Sequence, residues 1–237
     1  MPSSATEIRR SARRAGLLYL AMSIFAMLGY FYLRPRFVIA GDATATASSI
    51  LANERLYRTN ILIELVVQVL FIVVVLELYR LFQDVDRSLA RLMVGLVGTG
   101  IAVQFASFAF DVAPLVLLNG ATYLAEFTRP QVEALSLASL NVASKQGDLL
   151  TAMWGLWLFP FAVLTIRSTF LPRFLGVLLV LSGVAYVVSS VAVIVFPASV
   201  GTVYKFAFPF YFGELIVVLW LAFIGAKPRA AEAQVTG

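Results

Sequence analysis

The sequence predicts an all-α polytopic membrane bundle of six transmembrane helices, and three observations lead there. Six apolar runs each approach or exceed the ~18–20 residues that cross a bilayer at about 1.5 Å rise per residue. Apolar residues form 61% of the chain and charged residues 13%. A soluble domain carries about 25% charged residues, so a water-facing surface cannot be built from this composition. Lys and Arg gather at the ends of the runs, where they meet lipid headgroups and set topology.

The runs are residues 14–33, 59–82, 92–118, 149–166, 174–196 and 206–226. With their loops they use up residues 1–237 as one transmembrane domain, which leaves no room for a soluble one. The first run opens on Arg9, Arg10, Arg13 and Arg14, as a signal peptide would. It is long, carries Tyr19 and Tyr30, and meets Arg34-Pro35-Arg36 with no convincing cleavage site, so it reads as an uncleaved span. With both termini in the cytoplasm, eleven Lys and Arg lie inside, Lys227 and Arg229 among them, against seven outside. That bias favours this orientation.

The first and third loops, both outer, are expected to hold short interfacial helices. Gly41-Asp42 caps an Ala-rich stretch over 43–57, and Thr128-Arg129-Pro130-Gln131 fits a capping box ahead of 132–144. Gly95, Gly98 and Gly100 sit inside an apolar run with no preceding strand, so they read as helix-packing positions and not as a nucleotide loop. Gly176 and Gly183 read the same way in the fifth run. Trp154, Trp157 and Trp220 read as packing or interfacial residues.

Several absences narrow the chemistry. The chain has no Cys and no His. This removes disulfides, the usual haem ligands, most zinc and copper sites, and any Ser–His or Cys–His nucleophile pair. No cofactor is expected. The formal charge of +5 points to membrane lipids as partners and not to nucleic acid.

Carboxylates inside hydrocarbon cost several kcal/mol, so they face the bundle interior. In the second run Asn60, Glu64 and Gln68 recur every four residues and make one stripe. Gly100, Gln104, Ser107 and Asp111 make another in the third, and Asp148, Thr151 and Gly155 a third in the fourth. Tyr19, Ser23 and Tyr30, and Ser182, Tyr186 and Ser189, add weaker stripes, and Glu214 lies alone in the sixth run. By helical rise Glu64, Asp111 and Glu214 lie ~8, ~10 and ~12 Å below the outer ends of their helices, with Asp148 near the rim. Pro114 and Pro209 lie close in sequence to Asp111 and Glu214, and each frees a helical carbonyl. Asn60, Glu64, Gln68, Gln104, Asp111, Asp148 and Glu214 are therefore the candidate cavity residues. A hard-cation site among Glu64, Asp111 and Glu214 is chemically open, since such ions prefer oxygen.

Ala12-Arg13-Arg14-Ala15-Gly16-Leu17-Leu18-Tyr19-Leu20, Gly41-Asp42-Ala43-Thr44-Ala45-Thr46, Phe170-Leu171-Pro172-Arg173-Phe174-Leu175-Gly176 and Gly213-Glu214-Leu215 resemble an uncharacterised family of bacterial six-helix membrane proteins, domain of unknown function 4386. The resemblance runs over nearly the whole chain. It implies a six-span fold in a bacterial inner membrane and carries no reaction with it.

Three functions remain open. The first is binding or transport of a small ligand or cation through an outer polar cavity. The second is a structural or regulatory subunit, in which the carboxylates pair with rim cations such as Arg34, Arg58, Lys145 or Lys205 and a partner membrane protein meets the glycine faces. The third, ranked last, is a lipid-modifying enzyme that uses a carboxylate with water or metal.

Overall fold

The computed structural model describes residues 5–226, so Lys227 and Arg229 lie outside the described residues. Helices α1 (Ala5–Met27), α2 (Arg34–Phe37), α3 (Ala43–Ala52), α4 (Glu54–Phe82), α5 (Arg87–Leu117), α6 (Arg129–Leu156), α7 (Leu158–Arg167), α8 (Arg173–Val195) and α9 (Val200–Leu219) follow in order. Among the described residues there is no strand, and six helical stretches are long and apolar enough to cross a membrane. The fold is all-α, as expected.

Both expected helix starts have a physical cap. The Asp42 carboxylate accepts the Ala45 N–H at 2.8 Å, and the Thr128 N–H donates to the Gln131 side chain at 2.8 Å. Two boundaries differ from the expectation. The Ala-rich stretch breaks at Asn53 before α4 begins, and the segment expected as a separate connector over 132–144 is the first half of α6. Nothing between 132 and 156 breaks a helix, so the capping box at Thr128 starts one element of 28 residues.

The chain folds as two compact units. Of the described residues, unit 1 takes 5–21, 70–100 and 149–226, and unit 2 takes 22–69 and 101–148. Several helices contribute a segment to each.

Unit 1 is built on aromatic packing. Trp157 stacks on Phe161 at 5.5 Å and meets Phe71 edge-on at 5.3 Å, and Phe82 meets Phe161 at 5.7 Å. Small residues then let backbones touch. A Cβ on Gly155 would lie 2.7 Å from the Gly183 carbonyl, and one on Gly183 would lie 2.9 Å from the Gly155 carbonyl. Gly176 is pressed against Ile166 and the Ala162 carbonyl in the same way. Of the three glycines in α5, Gly100 alone packs, against Trp154; Gly95 and Gly98 face open space. That corrects the reading of all three as packing positions.

Unit 2 centres on Leu33, Phe37, Ile50, Tyr57, Ile61 and Leu140. Between α1 and α2, residues Leu28–Leu33 form a π-helical turn in which the Arg34 N–H reaches the Gly29 carbonyl. The extra residue turns Arg34 inward. Ser49 on α3 donates to the Arg36 carbonyl at 2.7 Å, which ties α3 to α2.

Candidate functional site

Unit 2 contains a small cavity lined by Arg34, Phe37, Val38, Tyr57, Asn60, Ile61, Glu64, Asp111 and Leu140. Its volume is about 10 Å³, and about one probe sphere of space is what a single water needs. Three of the candidate residues, Asn60, Glu64 and Asp111, meet there.

The helices explain the convergence. Asn60 and Glu64 are one turn apart on α4, so both side chains leave the same face. Asp111 lies on α5, and the π-helical turn delivers Arg34. Arg34 Nη1 donates to Asp111 Oδ1 at 3.0 Å, and both side chains are largely buried. The Tyr57 hydroxyl donates to the Asp111 backbone carbonyl at 2.6 Å. The residue that follows three positions later, Pro114, lies in the last turn of α5.

Glu64 is treated differently. Its only cationic neighbour in the cavity is Arg34, which is already engaged by Asp111. Asn60 Nδ2 donates to Glu64 Oε1 at 3.1 Å, and Asn60 Oδ1 is buried with no hydrogen-bond partner. Reversing the amide does not help, because its oxygen would then oppose the carboxylate and its N–H₂ would become the orphan. One guanidinium faces two carboxylates and an unpaired amide oxygen. The cavity has a surplus of acceptors over donors.

One turn further along the stripe, Gln68 is buried and its Oε1 also lacks a partner. Gln104 is half-buried and does not line the cavity. Asp148 pairs with Lys145 at 3.1 Å on its own helix, as one of the anticipated rim pairs. Arg58 pairs instead with Glu54 at 2.7 Å. Among the described residues no group of three or more acids forms a metal-ligating cluster.

Glu214 belongs to unit 1, where its carboxylate receives the hydroxyls of Tyr19 and Tyr186, the latter at 3.0 Å. Tyr186 stacks on Tyr211 at 4.9 Å. The Ser182 hydroxyl donates to the Phe210 carbonyl at 2.7 Å and accepts the Glu214 N–H at 3.1 Å. It thus bridges the carbonyl and the N–H of two residues one turn apart on α9, just past Pro209. Glu214 is held by neutral donors and serves as a helix tie. Replacing Tyr186 with Phe is expected to cost about 0.6–1.7 kcal/mol in a thermal melt. No change in melting would show that the hydrogen bond contributes nothing.

Two further acids, Glu77 and Glu133, are buried and paired. Glu77 is buried and bridges Arg14 at 3.3 Å and Arg80 at 2.7 Å in unit 1. Glu133 is buried in unit 2 between Arg129 at 3.0 Å and the Thr44 hydroxyl at 2.7 Å. Both stand near helix ends, where a charged residue in sequence looks like ordinary solvated surface. Tyr57 carries no such signal, because one tyrosine at the head of an apolar run reads as an interfacial anchor.

No curated protein matches the chain, and neither does any solved structure. Residues 14–225 match the family described as Domain of unknown function (DUF4386), and the chain belongs to that family.

Proposed function

We propose that this multi-pass membrane protein binds one small cationic species in the unit 2 cavity, with Glu64 and Asn60 as its principal ligands. The observation that carries the reading is the buried Asn60 Oδ1 without a donor, beside the Glu64 carboxyl group, while the Arg34 guanidinium is bonded to Asp111. A species that only donates or only carries positive charge serves both groups at once. The space suits an occupant no larger than a water. That limits it to a proton held on Glu64 or a dehydrated monovalent cation. Gln68 Oε1, the next orphan acceptor on the same face, would be the next stop along α4. In this reading the protein sits in a bacterial inner membrane with both termini cytoplasmic, supported by the excess of Lys and Arg on that side.

The test uses the purified protein in neutral-lipid nanodiscs. A saturable rise in Tm with sodium, potassium or ammonium identifies an ion. An infrared band of a protonated carboxyl that vanishes in Glu64→Gln identifies a proton. If neither signal exists and Glu64→Gln melts and behaves like the parent, the reading is dropped.

The structural reading then replaces it, and specific contacts favour that one too. Asp111, Asp148, Glu133 and Glu214 all have partners that close their charge or hydrogen bonds. Those of Asp111, Glu214 and, through Thr44, Glu133 join different helices, and none of these contacts needs a ligand.

A further inference from the structure

We infer that the arginine face of α1 in unit 1 is a binding site for the phosphate headgroup of an anionic phospholipid. This face is open and is formed by α1 alone. Thr6, Arg9, Arg10, Arg14 and Leu17 line it and recur at i, i+3, i+4, i+8 and i+11, the spacing of a single helical stripe. Cations occupy its first two turns, and leucines follow.

The arginines are not equivalent. Arg13 is spent on capping, since its Nη2 donates to the Phe223 carbonyl at 2.9 Å. Arg14 lies 3.3 Å from Glu77, which also serves Arg80. Arg9 and Arg10 are exposed and make no ion pair among the described residues. The only acid on the same turn is Glu7, which has an interaction of its own. Two adjacent guanidiniums in this position offer the planar double donor that fits a phosphate bidentately.

The face continues past the cations onto Leu17, which is 53% exposed, and Leu18. A free phosphate has no use for that apolar continuation, whereas a lipid's glycerol and first acyl carbons do. Guanidiniums at the start of a membrane-crossing helix also lie at the depth of the headgroups.

The experiment is native mass spectrometry of the full chain released from nanodiscs of phosphatidylcholine containing phosphatidylglycerol. The parent is expected to retain phosphatidylglycerol over phosphatidylcholine. Arg9→Gln with Arg10→Gln should lose that preference by on the order of tenfold. Arg87→Gln with Arg91→Gln, which removes equal charge elsewhere in unit 1, should keep it. Arg9→Lys with Arg10→Lys should fall between, because charge survives and the fork does not. Equal losses in both Gln pairs would reduce the site to general basicity and overturn it. So would competition by millimolar inorganic phosphate, or a parent that shows no preference between the two lipids.

Discussion

Replacing Arg34 with Gln is expected to destabilise the protein by roughly 3–5 kcal/mol, the cost of leaving a buried charge without its partner. In a thermal melt this is a fall in Tm of about 6–20 °C. The Asp111 side chain is 6% exposed, so solvent cannot take over from the lost guanidinium. Asp111→Asn should cost clearly less. Arg34 is then free to pair with Glu64, which lines the same cavity. The asymmetry is the informative part. Two carboxylates and no cation remain after Arg34→Gln, whereas one of each remains after Asp111→Asn. Equal costs would mean that Glu64 already carries no charge in the folded protein, so that Arg34 has only one partner to serve. Combining Arg34→Met with Asp111→Leu should recover most of the loss, because an apolar pair needs no charge compensation. A double variant no better than Arg34→Gln alone would show that packing and not charge sets the cost.

Hydrophobic runs and cap chemistry make the fold readable in the sequence. A bilayer forces the chain into helices, and the Asp42 and Thr128 caps follow from side chains three residues from their partners. The stripe from Asn60 through Glu64 was legible for the same reason, since one helix sets its period. What periodicity cannot supply is which helix faces which. Glu64 and Asp111 meet in unit 2, and Glu214 is bound by two tyrosines in unit 1. Depth is a property of one helix, and partner choice is a property of the packing. Arg34 illustrates the remainder. Its charge at the end of an apolar run marks it as a rim cation, but the π-helical turn that carries it inward has no sequence signature.

Glycine substitutions separate close backbone approach from mere helix content, and Gly16→Ala is expected to be among the most damaging single-methyl changes in this chain. A Cβ there would stand 2.2 Å from the Ala222 amide nitrogen and 2.3 Å from the Leu221 carbonyl carbon, both backbone atoms. Residues Trp220–Ile224 form a π-helical turn, so the opposing chain is already displaced from regular geometry and cannot rotate a side chain out of the way. Overpacking costs about 1–3 kcal/mol when side chains can yield. With backbone on the receiving side the loss should reach or pass the top of that range, seen as reduced expression and a lower Tm. Gly98→Ala supplies the contrast, because nothing lies within 4 Å of the added methyl. Inside α5 it should stabilise by about 0.5–1 kcal/mol, through helix propensity alone. If both variants melt together, the glycines act only through propensity, and the close contact of α1 with the turn after α9 is not part of the folded protein. If they diverge by several kcal/mol in the stated directions, that contact is what sets the spacing of the two helices in unit 1.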